Sequence, residues 1–158
     1  VPHLIIRTNF FGLHPDNKGI FNFFLTNLIK ENKVDGYINY SVSTIYIETL
    51  VKAVFDLIEN DIKGIINIGS SNALSKYSFG LYICNKLKKE SNLIEKAEIK
   101  MSFIRYSNQL DMNIQKAESC LGYKLPSTES GIDECLSMFY NEEEMRNLYV
   151  NENRQHSN

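Results

Sequence analysis

Two short apolar segments constrain the fold of this chain more than any other feature. Residues 4–6 are Leu-Ile-Ile within the first segment, and residues 64–69 read Gly-Ile-Ile-Asn-Ile-Gly. Segments of this kind are typical of strands in a parallel sheet, where both faces are covered. Amphipathic helices alternate with them, which predicts a mostly parallel sheet with right-handed crossovers. Since two strands cannot form such a sheet alone, we expect the other strands to come from elsewhere.

The chain of 158 residues starts at Val1, inside the first predicted strand. We therefore interpret it as the second half of a larger α/β protein. Residues 1–140 would be the folded part and residues 141–158 a polar tail, whose last residues, 151–158, we expect to fray. The predicted helices lie at about residues 19–31, 45–60, 113–121 and 130–140, with one more starting after residue 75; further strands are predicted at about 33–40 and 98–104.

Local signals predict how some of these helices end and which face they bury. The hydroxyl of Ser75 is placed to cap the helix that follows it. Gly122 is placed to end the helix at 113–121, because glycine readily adopts the left-handed backbone conformation found after many helices. One apolar face is predicted for the helix at 45–60, formed by Ile47, Leu50, Val51, Val54, Leu57 and Ile58.

Composition excludes several classes of function. The formal net charge is −2 and the pI is about 5.9, so we expect no nucleic-acid binding, which requires a basic patch. No apolar run approaches the roughly 20 residues that span a bilayer, so we expect no membrane partner. Cys84, Cys120 and Cys135 lack paired metal-ligand spacing and fall on apolar helical faces, which predicts buried, reduced thiols in a cytoplasmic protein and no metal site.

An ordered series of motifs resembles one family, the extended short-chain dehydrogenases/reductases that modify nucleotide sugars, and in particular their dTDP-4-dehydrorhamnose reductase group. No single motif is specific, but their order along the chain is, and the resemblance covers about residues 4–139. The motifs are RTNFFG at 7–12, YIETLVKA at 46–53, GIINIGS at 64–70, LSKYSF at 74–79, and RYSNQLD at 105–111 with Lys116-Ala117.

The resemblance implies a fold and a division of labour. The expected fold class is α/β, the C-terminal part of a Rossmann-like parallel sheet plus a small α/β substrate-binding lobe. The family's glycine-rich phosphate loop is absent from this sequence. A Tyr-x-x-x-Lys spacing occurs at Tyr82 and Lys86, downstream of where the family has its catalytic pair, and we interpret it as two neighbours on a helix face. We therefore expect no catalytic residue in this chain, and NADP or NAD to be the cofactor of the parent protein without binding tightly to this chain alone.

Four residues are site candidates under this resemblance. Asn9 and Phe10 follow the first strand, at the sheet edge where α/β proteins bind ligands, and are predicted to contact the substrate. Their alternative roles are a turn asparagine and a core phenylalanine. Arg105 is predicted to clamp a diphosphate, with a surface salt bridge as the equal alternative. Thr8 is predicted to contact the cofactor through its backbone.

The predicted function is the sugar-nucleotide-binding half of an NAD(P)-dependent reductase acting on a 4-keto nucleoside-diphosphate sugar. The predicted partners are that ligand, the missing N-terminal half and, in view of the family, a second copy in a homodimer. Two alternatives stay open. One is the corresponding half of an epimerase or dehydratase, and the other is a non-catalytic binding or regulatory module.

Overall fold

A computed structural model describes residues 3–100 and 109–155, with side chains up to residue 141. Its helices are α1 Gly19–Ile29, α2 Ile47–Glu59, α3 Lys76–Lys86, α4 Gln115–Leu121 and α5 Thr128–Gln155. Its strands are β1 Leu4–Thr8, β2 Phe10–Phe11, β3 Val34–Tyr37, β4 Ser41–Val42, β5 Ile45–Tyr46, β6 Gly64–Ile68, β7 Leu74–Ser75, β8 Ile94–Ala97 and β9 Gln109–Leu110.

The two predicted apolar strands pair with each other. β1 and β6 run parallel, in a register that places Leu4 beside Gly64 and Thr8 beside Ile68. Two further pairs, β2 with β5 and β3 with β8, are also parallel, and β4 lies between β7 and β9 in a mixed three-stranded sheet. The prediction of an α/β fold with parallel strands is confirmed.

The two faces of the β1–β6 ribbon differ sharply. On one face, Ile66 and Ile68 are fully buried against α2 and α4. On the other face, Ile5 and Ile65 are direct neighbours across the ribbon and each is 43% exposed. Within the described residues, therefore, the ribbon is covered on one face rather than on two. We call the buried side the ribbon core; it consists of Ile45, Leu50, Ala53, Leu57, Ile66, Ile68, Ile114, Ala117, Leu121 and Leu125.

A second cluster, which we call the aromatic core, joins α1, α3 and α5. Phe11 packs edge-on against Phe79, with ring centroids 5.2 Å apart, and lies 6.0 Å from both Phe21 and Tyr46. Phe24 lies 6.2 Å from Phe79. Its buried members are Phe11, Phe21, Phe24, Leu25, Leu28, Tyr46, Phe79, Ile83, Cys84, Ile94, Ile132, Cys135 and Leu136.

Several local predictions are confirmed. The Ser75 hydroxyl accepts a hydrogen bond from the Ser78 amide at 3.0 Å and so caps α3. Gly122 ends α4 with a φ of 76°. All three cysteines are free; Cys84 and Cys135 are buried, whereas Cys120 is half-buried.

Other local predictions are wrong. The last helix does not end near residue 140 but continues to Gln155, so residues 141–155 are helical. On α2, Val51 and Ile58 are 46% and 56% exposed, because the ribbon core reaches only Leu50, Ala53 and Leu57. The strand predicted at 98–104 lies earlier, as β8; residues 101–104 of that prediction lie outside the described residues.

Candidate functional site

The candidate site begins where β1 ends. Asn9 follows the last residue of β1, and its backbone carbonyl accepts a hydrogen bond from the Ile45 amide at 3.0 Å. Its side-chain oxygen, Oδ1, accepts one from the Thr44 hydroxyl at 3.4 Å. Phe10 leaves 54% of its surface exposed. This cleft, which we call the inner cleft, has a volume of about 310 Å³ and is lined by Asn9, Phe10, Ile20, Tyr40, Val42, Thr44, Leu74, Lys76 and Phe79.

A second cleft of about 570 Å³ adjoins the inner cleft. Both are lined by Ile20 and Lys76, so the two clefts share a wall. Phe23 and Tyr37 contribute aromatic rings to this outer cleft, and Asp35 contributes a carboxylate. An elongated ligand with chemically different ends could therefore lie across both clefts.

Lys76 stands at the junction of the two clefts. Its ammonium nitrogen lies 5.5 Å from the centre of the Tyr37 ring and 5.8 Å from that of Tyr40, within the range of cation–π attraction. Lys76 is also the first residue of α3, where the helix dipole adds partial positive charge. The junction is thus the place in these clefts where an anion is favoured.

Two features hold the walls of the clefts in place. At Gly36 in β3, an added Cβ would lie 2.7 Å from the backbone Cα of Tyr77, so β3 and the start of α3 approach each other closely. The Asn39 amide exchanges two hydrogen bonds with the backbone of Ile99, at 2.9 and 3.0 Å, and extends the β3–β8 pairing by one step. The positions of Tyr37 and Lys76 are therefore fixed by backbone packing.

The structure brings together only part of the predicted set. Asn9 and Phe10 line the same cleft. Thr8 precedes them, and its hydroxyl is buried without a hydrogen-bond partner among the described residues. Arg105 lies outside the described residues, so its predicted diphosphate contact stays a prediction.

Sequence reasoning missed three residues of these clefts: Lys76, Tyr37 and Tyr40. Lys76 was passed over because a lysine at the start of a helix is usually solvated, whereas the structure shows it half-buried. The available signal was the presence of two tyrosines, Tyr37 and Tyr40, in the extended segment 34–40. It could not be used without knowing that β3 lies against α3.

The Tyr82–Lys86 pair lies on α3, as the helix-face interpretation expects, and faces α5. The Tyr82 hydroxyl donates to the Asp133 carboxylate at 3.0 Å, and the Lys86 ammonium lies 2.8 Å from the same group. Burial raises the pKa of Tyr82 above its ordinary value of 10.0. This tyrosine therefore joins two helices through Asp133.

Neither a metal centre nor a membrane span is found in the part of the chain that the structure describes. No group of three or more histidine, cysteine, aspartate or glutamate side chains there could hold a metal ion. No helix there is both long and apolar enough to cross a bilayer.

Comparison with solved structures identifies the fold. A dTDP-4-dehydrorhamnose reductase from Bacillus anthracis, in complex with NADP, matches with a TM-score of 0.75 and 14% identity over 87% of this chain and 49% of its own. A dTDP-glucose 4,6-dehydratase from the same organism, in complex with NAD, matches with a TM-score of 0.71 and 18% identity over 89% and 45%. A UDP-glucose 4-epimerase from Thermotoga maritima, with UDP-glucose, matches with a TM-score of 0.68 and 18% identity over 90% and 47%.

These neighbours share the short-chain dehydrogenase/reductase fold, and the likeness that the motifs indicated is confirmed at the level of fold. The chain spans about half the length of each neighbour. No protein-family model matches the sequence, and no curated protein matches it.

Proposed function

We propose that this chain is the sugar-nucleotide-binding part of an NAD(P)-dependent reductase that acts on a 4-keto nucleoside-diphosphate sugar. The observation that carries the proposal is the pair of adjoining clefts that share Lys76, with Asn9 and Tyr40 lining one and Tyr37 the other. A nucleoside-diphosphate sugar needs groups of this kind: a cation for the diphosphate, aromatic faces for the base and hydrogen-bonding groups for hydroxyls.

In this proposal, Lys76 binds the diphosphate at the junction of the clefts. Its ammonium can donate several hydrogen bonds to phosphate oxygens, and the start of α3 adds partial positive charge. Tyr37 and Phe23 offer aromatic surface to the base in the outer cleft. Asn9 and Phe10 then face the sugar in the inner cleft. Arg105 remains our second candidate for the diphosphate.

The described residues do not fit a complete dinucleotide site. The sequence has no glycine-rich phosphate loop, and Tyr82 and Lys86 are held by Asp133 on another side of α3. A nicotinamide cofactor would accept or deliver hydride, and we propose that it is held chiefly by a second structural unit. Thr8 is the residue of this chain that we expect to approach it, through its backbone.

The exposed face of the β1–β6 ribbon supports the existence of that second unit. Parallel sheets are normally covered on both faces, whereas Ile5 and Ile65 are exposed here. Among the described strands, β1 pairs only with β6, so its other edge can accept another strand. We propose that a dinucleotide-binding unit continues the sheet from β1.

The prediction of a cytoplasmic location rests on the reduced cysteines and stays a prediction.

The same site would serve an epimerase or dehydratase, because neighbours of both kinds share the fold. A non-catalytic binding module is the alternative of another class. The coding sequence upstream of Val1 distinguishes them. A reading frame that encodes a glycine-rich loop and a further Tyr-x-x-x-Lys pair supports the enzyme, and a start codon immediately before Val1 supports the module.

Calorimetric titration tests the proposed site. UDP and dTDP should bind the chain, and Lys76→Met should weaken binding about tenfold, since it removes the charge and keeps the length of the side chain. Lys63→Met is the matched control, because Lys63 pairs with Asp61 away from both clefts. Absence of binding by either nucleotide, or equal losses in the two variants, would refute the site. Tight binding of NADPH would refute the division into two units.

A further inference from the structure

Asn9 is held by two consecutive residues of the segment that faces it. The Ile45 amide donates to the Asn9 backbone carbonyl, and the Thr44 hydroxyl donates to its side-chain oxygen, Oδ1. Thr44 is itself buried. Within the described residues, the Asn9 amide nitrogen, Nδ2, donates to no protein atom. The oxygen end of this amide is therefore engaged by the protein, and the nitrogen end is left for a ligand.

The backbone of Thr44 is in turn held by a hydrogen bond from α5. Its backbone carbonyl accepts a hydrogen bond from the Thr128 hydroxyl at 3.2 Å. The Thr128 hydroxyl lies 2.8 Å from that of Ser70, and both residues are buried. Thr128 begins α5 and bonds the Thr44 backbone directly, and Ser70, which follows β6, supports Thr128 from a second segment. Buried hydroxyl groups with satisfied hydrogen bonds are rigid, because breaking one bond leaves a buried polar atom unpaired.

From this arrangement we infer that Thr44 is a positioning residue, which sets the orientation of the Asn9 amide so that its NH₂ group faces the ligand. An amide in this orientation donates hydrogen bonds and therefore selects acceptors, such as phosphate or hydroxyl oxygens. Without the Thr44 hydroxyl, the Asn9 side chain could rotate and present its oxygen, which cannot donate to a phosphate oxygen. The inference rests on the proposed function for the identity of the ligand, but the orientation of the amide can be measured without one.

The experiment combines a ligand-free and a ligand-bound measurement on the full 158-residue chain. ¹⁵N relaxation of side-chain amides reports the order of Asn9, with the doubly bonded Asn39 as the rigid reference. Thr44→Val keeps the shape of the side chain and removes the hydroxyl. It should lower the Asn9 order parameter below about 0.6, the level of flexible groups. Thr44→Ser keeps the hydroxyl and should behave like the wild type.

Titration with UDP gives the second measurement. Thr44→Val should weaken UDP binding about five- to tenfold, and Thr44→Ser should restore it. In an Asn9→Ala background, Thr44→Val should have no further effect on affinity, because Thr44 acts through Asn9. Ser137→Ala is the control: it removes a hydroxyl that donates to the Asp133 carbonyl on α5 and contacts neither Asn9 nor Thr44, so it should change neither UDP affinity nor the order of the Asn9 amide.

The outcomes separate this inference from the proposed function. If wild-type Asn9 is as mobile as in Thr44→Val, the inference is wrong whatever UDP does. If Asn9 is ordered by Thr44 but UDP does not bind, the positioning role stands and the proposed ligand is wrong. If UDP binds equally well to the wild type and to Thr44→Val, Thr44 does not position Asn9 for binding.

Discussion

The two hydrophobic cores differ in how completely their surroundings enclose them. The aromatic core is enclosed by α1, α3 and α5, and Phe21, Phe79 and Ile83 are almost fully buried in it. The ribbon core covers only one face of its sheet and leaves Ile5 and Ile65 exposed on the other. The clefts lie over the aromatic core, since Phe79 belongs to both. The part of the molecule that carries the candidate site thus has an enclosed core, whereas one face of the described β1–β6 ribbon is exposed.

This difference suggests which function each part can perform alone. A complete core can hold side chains such as Lys76 in a fixed geometry, which ligand binding requires. A sheet exposed on one face is suited to association with another structural unit. Under the proposed function, we therefore expect ligand recognition to depend on the aromatic core, and association with a second structural unit to depend on the exposed ribbon face.

The largest expected effect is that of Phe79→Ala in the aromatic core. It removes a buried ring that contacts Phe11 and lines the inner cleft, and should destabilise the chain by about 3–5 kcal/mol. The melting temperature should fall by on the order of 10 °C, measured by circular dichroism. A loss below 1 kcal/mol would contradict the view that this core is complete.

Two adjacent residues of β6 test the asymmetry of the ribbon. Ile66→Ala on the buried face should cost about 2–4 kcal/mol, whereas Ile65→Ala on the exposed face should cost no more than about 0.5 kcal/mol. Urea denaturation of the two variants measures both values. Equal losses of stability in the two variants would mean that the chain covers both faces of its ribbon in solution. The contrast drawn between the two hydrophobic cores would then be wrong.

Gly80 offers a smaller test of how tightly the aromatic core is packed. A Cβ at this position would collide with the Phe24 ring, so Gly80→Ala should destabilise the chain by about 1–3 kcal/mol despite the better helix propensity of alanine. Thermal unfolding provides the measurement. A stabilised variant would show that Phe24 has room to move.

The smallest expected effect concerns pH and the loop after α4. A hydrogen bond from Lys124 holds the pKa of the Glu118 carboxyl below its usual 4.5, and the Leu125 amide also donates to it. A lowered folded-state pKa stabilises the fold above pH 4.5, and this contribution is lost as the pH falls through the lower, folded-state value. Glu118→Gln should therefore be less stable than the wild type at pH 7, and the difference should shrink below pH 4.5. Denaturation midpoints of the wild type and of Glu118→Gln across pH 3–7 measure this difference in stability. A difference independent of pH would show that the charge of Glu118 does not contribute to stability.

Local chemistry explains what could be predicted from the sequence. The alternation of strands and helices, the Ser75 cap and the Gly122 end each depend on a few neighbouring residues, and all are confirmed. The candidate site after β1 could be proposed from the sequence because it follows from the end of one strand. The exposure of Val51 and Ile58 could not be predicted, since periodicity shows which residues are apolar but not how much of a wide apolar face other elements cover.

The candidate site was only half predictable for a related reason. Asn9 and Phe10 are adjacent in sequence, whereas the contact of Lys76 with Tyr37 depends on the packing of β3 against α3. The hydroxyl network of Thr44, Thr128 and Ser70 joins residues from three distant segments. Contacts between distant segments leave no periodic signal in a single sequence.

The close approach at Gly36 has a consequence for motion. Because a Cβ added at Gly36 would lie 2.7 Å from the Tyr77 Cα, the backbones of β3 and the start of α3 are in contact, and their separation does not depend on side-chain rotamers. Rotamer changes can reshape the surface of the clefts within nanoseconds, but widening them requires β3 and α3 to separate as units, a slower collective movement. The backbone frame of the clefts is therefore stiffer than the side chains that line them.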